Sequence, residues 1–120
     1  GNLMSYIPQS RADLATAVPF EVTSDHTTSG TEVLRCSADV TIVLNKTPKD
    51  RETVMVKLTT SNTVKIVGDI NITSSSAFYN VAEYNTSGDE FGGTTVTLST
   101  VDTTAIFTYI REFGEWFPYN

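Results

Sequence analysis

Residues 39–45 read DVTIVLN, and the alternation in this stretch decides the fold class. In an extended chain Val40, Ile42 and Leu44 share one face, while Thr41 and Val43 share the other. The period is two rather than 3.6, which predicts a strand with one face in a core.

The same period recurs on both sides of this stretch. Towards the C-terminus, TVMVKL places Val54, Val56 and Leu58 on one face and Met55 and Lys57 on the other. TVKIVG alternates Val64 and Ile66 around Lys65, and TTVTLS alternates Val96 and Leu98 with Thr95 and Thr97. AIFTYI is denser: Ile106, Thr108 and Ile110 alternate with Phe107 and Tyr109, so both faces are expected to be covered. Shorter or weaker strands are predicted at FEVT, EVLRC, GDINIT and FYNVAEY.

Turn formers separate these runs in SDHTTSGT, NKTPKDRE, TTSNT, NTSGDEFGG and STVDTT. Strands at short spacing with turns between them predict an all-β fold, an antiparallel β-sandwich or barrel-like domain. No stretch in the body supports a β–α–β crossover, and no internal repeat is visible. Residues 19–120 are expected to form this single β-domain. Residues 1–18 read as a linker or N-terminal extension, short and helical or irregular. There SRADLATA carries a helical hint with Ser10 as N-cap, and Pro19 stops any helix. Gly1 ahead of a native-looking segment suggests a piece of a longer chain.

The chain ends IREFGEWFPYN. Large aromatics contribute strongly when buried, and termini fray unless they are tied down. The segment therefore reads as the closing strand of a hairpin, with Gly114 supplying the positive φ of the turn. Trp116 and Phe117 are expected on opposite faces, one sealing the core and one available to a neighbouring subunit. Ile106, Phe107, Tyr109, Trp116 and Phe117 are thus the expected core or subunit-contact residues.

The 120 residues are 39% hydrophobic and only 18% charged, and Thr and Ser supply much of the remaining polarity. Thr is β-branched and suits a pleated, half-solvated surface. The net charge is −6 and the eight Lys and Arg residues are dispersed. A nucleic-acid partner held through phosphates is not expected, and neither is binding to anionic lipid or membrane insertion. No run reaches the length of a membrane span, and residues 1–10 lack the layout of a signal peptide. Cys36 is the only cysteine, which excludes a disulfide within the chain and favours synthesis in a reducing compartment. Its place in the alternating run VLRCSADV predicts a small buried side chain.

Candidates for chemistry are few. His26 is the only histidine, and Asp25 beside it is the conceivable partner of a dyad. Neighbouring residues of a strand face opposite ways, so a polar loop histidine is the expected reading. Asp69, Asp89 and Glu90 lie beside glycines but lack the spacing of a calcium loop or a glycosidase pair. No phosphate-cradling motif occurs, and no metal or cofactor is expected. Asn45, Asn71 and Asn85 head N-x-S/T triplets, as chance allows in so Thr-rich a chain. Tyr79, Tyr84 and Phe91 sit in or beside the turn-rich segment 73–93 and are the ligand-binding candidates, since aromatic faces beside Asn and Asp groups suit sugars.

The stretch PFEVTSDHTTSGTEVLRCSADVTIVLNKTPKDRETVMVKLTTSNTVKIVGD, with the closing TTAIFTYIREFGEWF, resembles small β-domains of tailed-bacteriophage tail fibre and tail spike proteins. The resemblance spans about residues 19–117 and rests on strand patterns. It implies a structural or host-recognition module of a virion appendage, made in the host cytoplasm and acting by homotrimerisation and surface binding rather than as an enzyme. Its implied partners are a host-surface glycan or another virion protein. A carbohydrate-binding module attached to a larger enzyme or adhesin is the alternative.

Overall fold

A computed structural model describes residues 17–73, 81–85 and 94–119. The helical hint at 10–17 and the extension over 1–18 lie almost wholly outside them. The described residues are all-β, in two five-stranded sheets. The strands are β1 (Phe20–Val22), β2 (His26–Thr27), β3 (Glu32–Cys36), β4 (Val40–Val43), β5 (Thr53–Leu58), β6 (Val64–Val67), β7 (Val81–Asn85), β8 (Thr95–Leu98), β9 (Thr104–Ile110) and β10 (Glu115–Tyr119). One sheet runs β1-β3-β5-β9-β10 and the other β2-β4-β6-β8-β7.

Strand direction departs from the antiparallel expectation. β1, β3 and β5 pair in parallel, and so do β2, β4 and β6. The chain alternates between sheets through these six strands, making three stacked coils. Antiparallel strands then close the stack, β9 and β10 in the first sheet and β8 and β7 in the second. Parallel neighbours need a long crossover, usually a helix. Here a strand of the facing sheet is the crossover, so the spacing of apolar runs along the chain looks the same as in a meander. The two-residue β2 falls in a stretch that composition marks as a turn. The strand expected at GDINIT is reduced to one bridge, between Ile72 and Trp116.

The inward faces are those the alternation selects. Leu34, Cys36, Val54, Val56, Leu58, Ala105, Phe107 and Trp116 from one sheet meet Ile42, Leu44, Val64, Ile66, Val96 and Leu98 from the other, all fully buried. The columns are continuous: Phe20, Leu34, Val56 and Ala105 stand in register across four strands. At the β1–β2 end, the Phe20 and His26 rings approach to 5.2 Å between centroids.

Thr and Asp side chains stitch one coil to the next. The Asp25 carboxylate accepts the Thr41 N–H at 2.8 Å, and Asp39 one coil later accepts the Thr63 N–H at 2.8 Å. The Thr63 N–H, joined by the Asn62 side-chain amide at 3.3 Å, holds the Asp39 carboxyl below its ordinary pKa of 3.8. Thr28 Oγ1 accepts the Asn45 N–H at 2.9 Å, and Thr31 Oγ1 accepts the Thr53 N–H at 3.0 Å. Thr53 and Thr108, directly opposed on β5 and β9, share a hydroxyl hydrogen bond of 3.0 Å. Thr28, Thr31, Thr53 and Thr108 therefore bond one strand to another, beyond the expected role of Thr in keeping the surface polar.

The C-terminal hairpin is as expected. Gly114 has φ +67° and donates to the Ile110 carbonyl at 2.9 Å. β10 pairs with β9 in antiparallel register, with Trp116 opposite Tyr109 and Pro118 opposite Phe107 on the sheet edge. The Trp116 N–H donates to the Asn71 carbonyl at 3.0 Å, and the Thr73 N–H donates to the Trp116 carbonyl at 2.8 Å.

Candidate functional site

Three places on the fold bear on function: the histidine at the first coil, the outer face of the β1–β10 sheet, and a cleft beside the β4–β5 turn.

His26 does not pair with Asp25, whose carboxylate is taken by the Thr41 amide. Its Nε2 lies 2.7 Å from Glu32 Oε1, while Glu32 Oε2 accepts the Ser29 N–H at 2.7 Å. Ser29 Oγ touches Glu32 at 3.5 Å rather than the imidazole. A nucleophile–base relay needs the histidine between hydroxyl and carboxylate. Here the carboxylate is in the middle, and the arrangement staples the β2–β3 turn. Among the described residues no group of three His, Cys, Asp or Glu side chains could hold a metal ion, and no helix is long and apolar enough to cross a membrane.

Cys36 is fully buried, and burial, with a smaller contribution from Glu21, pushes its thiol pKa up to about 11 from an ordinary 9.0. The thiolate is the nucleophile, so Cys36 should resist alkylation. At pH ~8, iodoacetamide is expected to label the native protein slowly and the urea-unfolded protein fast, with mass spectrometry as the readout. Equal rates would contradict this burial. The same shift makes stability fall between pH 9.0 and about 11, where only the unfolded thiol ionises.

The outer face of the β1–β10 sheet is banded. Glu21, Arg35, Lys57 and Thr104 form one lateral row, with Glu21 and Arg35 paired at 3.3 Å. The next row is apolar: Val33, Met55 and Ile106 stand side by side, each half-buried. The third row, Thr53, Thr108 and Phe117, ends on a half-buried ring that meets Phe113 at 5.3 Å. Phe113 itself is 62% exposed. Of the expected contact residues, Phe107 and Trp116 are core, Tyr109 packs against that core, and Ile106 and Phe117 lie in the outer band. Trp116 and Phe117 occupy opposite faces, as expected.

The cleft, of about 720 Å³, lies between Gly30–Thr31 and the turn 45–52. Its floor is Glu52, only 7% exposed. Glu52 accepts the Asn45 side-chain amide at 3.0 Å and the Lys49 N–H at 3.2 Å. Asp50 accepts the Arg111 N–H at 2.9 Å and lies 3.7 Å from the Arg51 guanidinium. Arg51 takes φ +70°, a strained setting for a side-chain-bearing residue. In the sequence this turn reads only as a polar Pro loop with mixed charges, and nothing there announces a left-handed arginine or a buried glutamate.

The ligand-binding candidates fall elsewhere. Tyr79 and Phe91, with Asp89 and Glu90, lie outside the described residues. Tyr84 lies on β7, at the edge of the second sheet and opposite Val96. Comparison with protein-family models, with curated proteins and with solved structures returns no match.

Proposed function

We propose that this chain is a structural and host-recognition module of a bacteriophage tail fibre, tail spike or related virion appendage, acting by homotrimerisation and surface binding. The observation that carries the reading is the apolar row Val33, Met55 and Ile106 on the outside of a sheet, with the Phe117 and Phe113 rings at the end of the neighbouring row. A second apolar face on a sheet that already covers a complete core is suited to a subunit contact. A trimer contact is heterologous, so this row meets a different part of the neighbouring copy. The strand pattern that resembles fibre and spike domains, the single cysteine and the Thr hydrogen bonds between strands suit a particle that must persist outside a cell. Binding, not bond breaking, is the role of such a module. His26 fits this reading as a staple of the β2–β3 turn.

Ile106→Lys tests the assignment. Ile106 faces outward, so the variant should keep its β-sheet circular dichroism while its sedimentation moves from trimer to monomer. A variant that assembles like the parent would exclude this row as the contact.

A further inference from the structure

We infer that the open end of the stack, at the first coil, is a docking surface for the chain's own segment before Ala17, with Leu14 seated on the Phe20–His26 ring pair. The inference is independent of the virion reading, because it rests on how the stack of coils ends.

β1 and β2 are the outermost strands of their sheets, and the core columns stay open there. Phe20 heads the column of Leu34, Val56 and Ala105. Those three are fully buried, yet Phe20 is 52% exposed. His26 heads the matching column of Ile42, Ile66 and Val96 in the facing sheet, and it is half-buried while those three are fully buried. The two rings meet at the end of the core, and Val18, two residues ahead of β1, is 85% exposed. At the other end of the stack β9 with β10, and β8 with β7, cover the third coil. Among the described residues the first coil alone ends without a cover.

The segment that leads into β1 suits this end. The sixteen residues before Ala17, which lie outside the described ones, include Leu3, Met4, Tyr6, Ile7 and Leu14. Arg11 and Asp13 are their only charged side chains and cancel, so the −6 of the chain does not repel them. So apolar a stretch lacks the composition of a solvated tail. Leu14 is six residues from Phe20, a reach of up to about 20 Å, which is enough to turn back over the ring pair. Tethering gives the segment an effective concentration of order millimolar, so it outcompetes a second copy in dilute solution. The helical reading of residues 10–17 fits such a cover, since natural sheet edges are often closed by a helix or loop.

The test is nuclear Overhauser spectroscopy on the full chain with methyl-labelled leucine. Contacts are expected between the Leu14 methyls and the Phe20 and His26 rings, assigned through Leu14→Ala, which deletes those methyls. Leu14→Asp should uncover the coil. Hydrogen exchange at the Thr28 and Ser37 amides, which join the first coil to the second, is then expected to speed up about tenfold, as the loss of one part-buried leucine allows. The Val56 and Phe107 amides should exchange as in the parent. Gln9→Asp, the same charge at a polar position of the segment, should leave both readouts unchanged. No contact between Leu14 and either ring, contacts found only between differently labelled chains, or unchanged exchange in Leu14→Asp would each overturn the inference.

Discussion

Trp116→Ala is expected to destabilise the domain by about 3–5 kcal/mol, the cost of emptying a well-packed aromatic site. Trp116 is fully buried four residues from the C-terminus, and its ring meets Tyr109 at 5.7 Å between centroids. Its backbone ties the segment 71–73 to β10 through two hydrogen bonds of 3.0 and 2.8 Å. Against a typical domain stability of roughly 5–15 kcal/mol, the loss is large enough to leave a visible unfolded fraction. Trp116→Phe should cost much less than its volume suggests. The indole Nε1–H is buried and has no acceptor among the described residues, and an orphaned donor itself costs about 1–3 kcal/mol. Phenylalanine removes that donor along with the volume. Urea unfolding followed by circular dichroism measures both, since either change deletes the only tryptophan and its fluorescence. Equal costs for the two variants would refute this account of the indole.

The second large effect is at Glu52. Glu52→Ala should cost about 1–3 kcal/mol, because it removes a carboxylate, itself only 7% exposed, that accepts the half-buried Asn45 side-chain amide and the Lys49 N–H. The main chain at the same point joins the turn to β9: the Arg51 N–H donates to the Tyr109 carbonyl at 2.8 Å, and the Tyr109 N–H to the Glu52 carbonyl at 2.9 Å. Glu52→Gln keeps one acceptor but aims an NH2 group at a donor, so it should cost about half as much. Thermal unfolding separates the three proteins. A Glu52→Ala variant as stable as the parent would show that the carboxylate does not close this turn.

Much of the core was legible because alternation is a one-dimensional signal. Val40, Ile42, Leu44, Val54, Val56, Leu58, Val64, Ile66, Val96 and Leu98 are each inside, where period two places them. The C-terminal hairpin was legible for a related reason: Gly114 marks the turn, and Trp116 and Phe117 then divide between the faces. Strand direction was not legible. The apolar runs of a coil that crosses between sheets have the same spacing as those of a meander, and no residue type reports which sheet receives the next strand. The cleft was hidden for another reason. Asn45, Lys49 and Glu52 are ordinary turn residues one by one, and Thr31 reaches their neighbourhood only through the stacking of coils. His26 was legible as polar and local, but its partner, Glu32, lies six residues away rather than one.

The central claim is that the half-buried row on the outside of the first sheet belongs between subunits. The mass of the unmodified chain in dilute solution, by light scattering on a size-exclusion column, tests it most directly. A mass of three chains that persists on dilution is the predicted result. A strict monomer at every concentration would contradict it and leave Val33, Met55 and Ile106 as simple surface residues.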